Sequence, residues 1–324
     1  MSVANRTIKI GTRGSALALT QTNMVRTALH AHHEGLQTEI VVIKTSGDWR
    51  PEQGETRLRE EEGGKGQFAR EIEQALLEGA IDCAVHSMKD METALPSGLV
   101  IRHMLEREDP RDALLLHQRP GGQARTLDDL PQGATVGTAS IRRQALLLRR
   151  RPDLKIVPFR GNVQTRIDKL RAGQVDVTLL ALAGLRRLGL QEEADMILSP
   201  EDMLPAAGQG AVGIEARESD TQMLDLLDPL SCRKTLLAVS AERAALAALG
   251  GSCHTPLGAW AQENPEEPEI LNMQLVIVSE DGAKSFAEEG SAQVSSVEEA
   301  EALGARLGHR LKERIPAGFA GLKS

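Results

Sequence analysis

The chain has 324 residues, of which 41% are hydrophobic and only 2% aromatic, with three cysteines and a formal net charge of −8. That length suits two or three domains with real cores. No run is long and apolar enough to span a membrane, and an odd, widely spaced set of cysteines argues against a disulfide framework and for a reducing cytosol.

Taken in order, the N-terminal MSVANRTIKIGTRG has no apolar core of a signal peptide. Residues 7–10 predict a short strand running into Gly11-Thr12-Arg13-Gly14-Ser15, then a helix over about 16–30 with Ser15 as its N-cap. A strand, a Gly-containing turn and a helix N-terminus make a small anion site, to which Arg13 adds a full charge. His30, His32 and His33 at the helix end suit solvated residues facing the dipole better than metal ligands. Residues 40–44 predict a second strand. From 49 to 66 the chain reads WRPEQGETRLREEEGGKG, polar, without an apolar period and longer than ordinary connections. Such a loop is either a lid or disordered, and Lys65 between two glycines is either a lid residue or a solvent lysine.

A helix over about 67–77 precedes IDCAVH at 81–86, which reads as a buried strand ending in Ser87-Met88-Lys89-Asp90. Polar residues at the C-terminal end of a strand are where α/β sheets place their chemistry. Asp90 beside Lys89 is open to two readings, a functional acid or an ordinary ion pair, whereas Cys83 in mid-strand reads as inert core. Strands at 99–104 and 113–117 flank a charged, hinge-like segment at 107–112. Residues 134–137 predict a strand entering Thr138-Ala139-Ser140 and a helix from 141; a strand at 155–159, a helix at 163–171 and an apolar strand at 175–183 follow.

Within this part, residues 137–171 hold ten Lys and Arg against two Asp. A cationic island in an acidic chain points to a local anionic partner rather than a sticky surface. The acidic remainder and the scarcity of aromatics disfavour nucleic acid, which needs broad positive charge and stacking platforms. Arg142 and Arg143 follow a Gly-Thr-x-Ser turn, Arg160 precedes Gly161-Asn162, and Arg166 lies one helical turn beyond. These four read as ligand contacts delivered from separate loop ends, since a guanidinium fork pairs bidentately with carboxylate or phosphate. Arg149, Arg150 and Arg151 read as solvated helix-end charges.

Two internal echoes organise the chain. Gly11-Thr12-Arg13-Gly14-Ser15 is answered by Gly137-Thr138-Ala139-Ser140, each between strand and helix. Leu77-Glu78-Gly79-Ala80-Ile81-Asp82 is answered by Arg171-Ala172-Gly173-Gln174-Val175-Asp176, each between helix and strand. The order predicts two similar βαβ lobes whose helix N-termini face a shared cleft. Pro205-Ala206-Ala207-Gly208-Gln209-Gly210 then crosses back towards a strand at 211–215. Residues 232–249 predict a strongly amphipathic helix stopped by Gly250-Gly251. Strands at 257–261 and 273–279 and a helix at 296–315 complete a separate small α/β domain. Cys253 sits in a loop between glycines and a proline, and is either a bland loop cysteine or a nucleophile or attachment point.

Together these pieces resemble the porphobilinogen deaminase (hydroxymethylbilane synthase) family of tetrapyrrole biosynthesis. The matching strings are GTRGSALALTQ, TSGDW, GGKGQFAREIEQALLEG, DCAVHSMKD, DPRDALL, GTASIRRQ, RGNVQTR, LALAGLRRLG, PAAGQGAVGIE and GGSCHTPLGAWA. They run in family order from residue 11 to 261, about three quarters of the chain, and ten in order are highly specific.

The resemblance implies an α/β fold of two periplasmic-binding-protein-like doubly wound lobes around a cleft, plus a small C-terminal α/β domain with an open sheet. It implies lobe 1 at 1–108 and 209–229 with the lid and the catalytic Asp, lobe 2 at 109–208 with the arginines, and a C-terminal domain at 230–324. The implied enzyme is a transferase joining four porphobilinogen molecules head to tail into hydroxymethylbilane and releasing ammonia. It builds a dipyrromethane cofactor from its own substrate and holds it covalently, here through Cys253, with no metal. Asp90 is implied as the catalytic acid/base, with Lys89 beside it. Ser87, Lys89, Asp90, Thr138, Ser140, Arg142, Arg143 and Arg160 are implied at the cofactor. Arg13, Ser15, Arg160, Arg166, Arg187 and Gln209 are implied at the substrate and the growing polypyrrole chain, and Lys65 in the lid. A cytoplasmic monomer with no nucleic-acid or membrane partner is expected. The chemistry accounts for the residue types, because each porphobilinogen ring carries an acetate and a propionate, and a carboxylate near the pyrrole nitrogens can steady the cation left when ammonia departs.

The chain departs from the family pattern in places. Ala139 stands where Ser is common, Gln164 where Gly is usual, Glu92 where Pro is usual, Ser252 where Gly often precedes the cysteine, and Glu61 where a basic residue is often found. These bear on lid contacts more than on the reaction. A non-catalytic two-lobed binder of a small anion would need the cleft arginines but neither Cys253 nor a third domain. Intact mass separates the two, because the deaminase is heavier than its chain by a dipyrrole.

Overall fold

A computed structural model describes residues 6–45, 69–117, 126–252, 255–316, 318–319 and 322. The expected lid at 49–66, with Lys65, and the loop position Cys253 lie outside the described residues.

The first sheet takes β1 (Thr7–Thr12), β2 (Gln37–Val42), β3 (Cys83–Ser87), β4 (Leu99–Met104) and β10 (Val212–Arg217) in the order β2-β1-β3-β10-β4. The second takes β5 (Asp112–Leu116), β6 (Thr135–Gly137), β7 (Lys155–Val157), β8 (Val177–Ala181) and β9 (Met196–Ile197) in the order β7-β6-β8-β5-β9. The two orders are the same pattern. A central strand runs parallel to both neighbours, and the fourth strand is antiparallel to the third. In each sheet that antiparallel strand is delivered by a chain crossing from the other lobe. Residues 105–111 carry the chain out to β5, and residues 198–211 bring it back to β10.

The sequence echo has a hydrogen-bonding cause. Asp82 accepts from the Lys9 N–H at 2.8 Å, and Asp176 accepts from the Thr135 N–H at 2.8 Å. In each lobe one aspartate pins the head of the central strand to the segment entering its neighbour. The helices are α1 (Ala16–His32) and α2 (Arg70–Leu77) in the first lobe, with α3 (Ile141–Arg150), α4 (Val163–Arg171) and α5 (Leu182–Arg187) in the second. Ser15, Ser140 and Asn162 each accept a backbone N–H at the start of α1, α3 and α4, satisfying donors that a helix N-terminus leaves open. Core strands β3 and β8 are buried almost throughout, so they read as apolar runs rather than alternating ones.

After α6 (Thr221–Leu227) come α7 (Arg233–Ala248), the antiparallel meander β11 (Leu257–Glu263), β12 (Ile270–Val278) and β13 (Ser285–Gln293), and α8 (Val297–Arg314). α7 and α8 bury the inner face of this open sheet. Among the described residues no helix is long and apolar enough to cross a membrane.

Three of the differences from the sequence reading have a clear physical cause. The apolar run at 175–183 is not one strand, because β8 ends at Ala181 and the chain turns directly into α5. β13 went unread because SFAEEGSAQ has few strand-forming residues and leaves alternate positions to solvent. α7 is not amphipathic in the expected sense. Leu237, Val239, Ala241, Glu242 and Ala245 are buried around more than one side, because α7 is wedged between the third sheet and the crossings.

Candidate active site

At the end of β3 the chain enters a single 3-10 turn, Met88–Asp90. Ser87, the last strand residue, exchanges hydrogen bonds with the Gln21 amide of α1 at 2.9 and 3.1 Å. Lys89 and Asp90 are half-buried. Burial pushes the Lys89 amine down to about 8; Asp90 pulls it back up, while Arg143 pushes it further down. Across the cleft, burial and then Arg143 push Arg166 down to about 10, with Asp90 opposing. Lys89 and Asp90 of one lobe and Arg143 and Arg166 of the other therefore lie within each other's field, as the separate loop ends of the sequence suggested.

Beneath them lies a carboxylate that the sequence reading passed over. Asp112, the first residue of β5, is fully buried. It accepts from Arg142 at 2.6 Å, from Arg143 at 2.7 and 3.1 Å, and from the Gln209 amide at 3.1 Å. Burial alone would raise its carboxyl, but the charges and hydrogen bonds of Arg142 and Arg143 outweigh this and hold it well below the usual carboxylate range. The signal was an acid at the head of an apolar strand, DALLL, which can be buried only if cations are brought to it.

Asp112 changes how the expected ligand contacts are read. Arg142 also donates to the Leu204 carbonyl at 2.7 Å and Arg143 to the Leu179 carbonyl at 2.8 Å. Gln209 donates to the Pro110 carbonyl at 2.6 Å. These three side chains thus hold the floor of the cleft together, and two arginines against one aspartate leave that floor one positive charge in excess. Thr138 is buried, and its hydroxyl accepts from the Ser140 N–H at 3.1 Å. Arg160 is buried at the entry to α4, and Arg13 is half-buried before α1; both are engaged. Arg187, partly buried on α5, donates to the Gly210 carbonyl at 2.6 Å. The Nε donors of Arg142, Arg166 and Arg187 are buried without a hydrogen-bond partner.

The helix-end arginines divide. Arg150 pairs with Asp128 at the surface, as a solvated charge does. Arg151 corrects the expectation. It pairs with Asp153 and donates to the carbonyls of Leu127, Leu130 and Pro131, stapling that loop to the end of α3.

A cleft with a net cationic floor and orphaned guanidinium donors suits a ligand with several carboxylates. A dipyrrole bearing acetates and propionates meets that requirement.

Comparison with known proteins agrees. A profile described as porphobilinogen deaminase, dipyromethane cofactor binding domain, matches residues 8–225, and one described as porphobilinogen deaminase, C-terminal domain, matches residues 236–313. The porphobilinogen deaminase of Nitrobacter hamburgensis is 47% identical over 312 residues, covering 96% of this chain and 94% of its own. That of Paracoccus denitrificans is 47% identical over 315 residues, covering 96% of each. Among solved structures, a YaeC-family lipoprotein of Enterococcus faecalis aligns at 12% identity and a TM-score of 0.41, over 72% of this chain and 94% of that one.

Proposed function

The chain belongs to the porphobilinogen deaminase family, and from that premise we propose how its cleft residues divide the work. The enzyme condenses four porphobilinogen molecules head to tail into hydroxymethylbilane, releasing ammonia, and carries a dipyrromethane cofactor. When bound, that cofactor supplies the nucleophilic pyrrole carbon on which the first ring is added.

The observation that carries the division is that Lys89 and Asp90 lie within the electrostatic reach of the buried Arg143 and the half-buried Arg166 of the other lobe. On this reading Asp90 is the catalytic acid/base. Its carboxylate steadies the positive charge that grows on a pyrrole as ammonia leaves, and takes the proton released when the new carbon–carbon bond restores aromaticity. Lys89, Arg143 and Arg166 hold ring carboxylates, assisted by Ser87, Ser140, Thr138 and Arg160. Arg13, Ser15 and Arg187 hold those of the incoming and growing chain, and Lys65 acts from the lid. Arg142 and Gln209 support these contacts by fixing Asp112 and, through it, the orientation of Arg143. We further propose a cytoplasmic monomer without nucleic-acid or membrane partners; the acidic overall charge disfavours a nucleic-acid partner.

Cys253 is proposed as the attachment point, on its match to the family's GGSC string. Cys83 is fully buried, and burial pushes its thiol up to about 12, which keeps it protonated and unreactive. Cys253→Ser should purify at the bare chain mass, while Cys83→Ser and Cys232→Ser should keep the added dipyrrole. A dipyrrole on Cys253→Ser would sink the assignment.

A pH dependence follows from Lys89. With its amine pushed down to about 8, it is cationic below that pH and neutral above it, so its hold on a carboxylate is lost as pH rises through that value. The KM for porphobilinogen should climb across this range in the parent and less in Lys89→Arg, which stays charged. Comparing the two removes the substrate's own ionisation. Identical profiles would take Lys89 out of the carboxylate-binding set.

A further inference from the structure

The turn that carries Lys89 and Asp90 is bonded into the returning crossing. The Met88 N–H donates to the Ala211 carbonyl at 3.1 Å. The Met88 side chain is 1% exposed and buried with Met104, Ala211 and Val239 of α7. Gly208, at φ +72°, lies so close that a Cβ there would stand 2.9 Å from Met88 Cβ, 3.1 Å from its carbonyl carbon and 3.3 Å from the Lys89 nitrogen. Gly213 of β10 lies under the same side chain, and a Cβ there would overlap the Met88 sulfur.

The crossing is itself held from both sides. The Gly208 N–H donates to Glu242 of α7 at 2.7 Å, and the Gly210 carbonyl accepts from the cleft arginine Arg187 at 2.6 Å. Met88 also lines an open pocket of about 690 Å³ with Leu95, Ile101 and Met104 of the first lobe and Arg243 of α7. The turn is thus tightly packed against the crossing. A push from Gly208 meets the Met88 Cβ and backbone, which no rotamer change can absorb.

We propose that Met88 and Gly208 form a positioning seat for the catalytic turn, so that bending of the crossing at 208–211 carries Lys89 and Asp90 with it. Met88 and Gly208 touch no substrate and act through Asp90, so the inference rests on the role given to Asp90 above. Such a seat ties the lobe 1 carboxylate to the same crossing that Arg187 grips from lobe 2. The reacting carbon and the carboxylate then stay in register as the lobes adjust to a longer chain.

The test compares holoenzymes, each with cofactor content measured by intact mass and kcat expressed per loaded molecule. Gly208→Ala should lower kcat about 10- to 100-fold, the scale of a sub-ångström to 1 Å misplacement, with KM within about threefold and the dipyrrole retained. Gly35→Ala is the control for backbone strain, since Gly35 has φ +76° with nothing within 4 Å. It should lower the melting temperature yet leave kcat within about twofold. Met88→Ala, which empties the seat from the other side and leaves Gly208 untouched, should also lower kcat with the dipyrrole retained. That variant decides the matter if Gly208→Ala does not fold. A kcat within about twofold of the parent in Gly208→Ala or Met88→Ala, with Asp90→Ala inactive, overturns the seat. Turnover by Asp90→Ala itself overturns the underlying assignment instead.

Discussion

Asp90→Ala should fold like the parent and turn over porphobilinogen about 10³-fold or more slowly, within the range that a positioned acid or base contributes. Folding should survive because Asp90 is only half-buried, at the end of a 3-10 turn whose backbone is anchored by Met88 rather than by the carboxylate. Turnover should not survive, because the carboxylate that shares its electrostatic surroundings among the described residues, Asp112, cannot take over. Asp112 is within the same electrostatic neighbourhood, but it is fully buried and locked by Arg142, Arg143 and Gln209. Its carboxyl is held so far below the usual range that it cannot accept and return protons near neutral pH. Asp90→Glu keeps the charge but moves it by one methylene. It should retain slight activity and accumulate enzyme carrying partly grown chains, visible by intact mass. If Asp90→Ala turns over within about tenfold of the parent, a loss of only ~1.4 kcal/mol, Asp90 is not the central acid/base.

The second large effect is on stability. Asp112→Ala should destabilise the second lobe by about 3–5 kcal/mol, because it leaves two buried guanidiniums facing each other without their shared anion. Against a typical total of about 5–15 kcal/mol, such a loss should be evident in urea or thermal unfolding. The carboxyl is depressed in the folded chain, so its contribution is present above the unfolded carboxylate value of about 3.9 and is lost only as pH falls well below it. Asp112→Asn should fall between the parent and Asp112→Ala, since an amide oxygen can still accept one guanidinium but brings no charge. An unfolding midpoint unchanged in Asp112→Ala would show that the arginines find other partners, and would return Arg142 to the set of direct ligand contacts.

The cleft was legible where chemistry and local pattern coincide. HSMKD ends a short apolar run bounded by polar residues, which reads as a core strand, so Lys89 and Asp90 fall at the C-terminal end of that strand without any fold being known. Gly-Thr-x-Ser before Arg142 and Asn162 before Arg166 are helix starts, which places both arginines near helix N-termini. The paired lobes were legible from the repeated aspartates, because Asp82 and Asp176 satisfy the same backbone donor in each lobe and the same local need leaves the same residues behind. By contrast α5 was hidden, since an apolar run has no period that distinguishes a buried strand from the buried helix that follows it.

What the sequence by itself determined is therefore the chemistry and the plan: the family strings, two similar lobes and a small third domain, an acid on a turn, and a cationic island opposite. Only the tertiary structure decided which cations serve each other. Nothing in the spacing of Asp112, Arg142 and Gln209 says that one carboxylate holds all three positions, because they come from different elements and meet only when the crossings fold against β5 and α3. The same holds for Met88 and Gly208, 120 positions apart in number yet in backbone contact. A buried charge must be neutralised and a close backbone approach must exclude a Cβ, but which partners meet those demands depends on distances in three dimensions that local sequence does not encode.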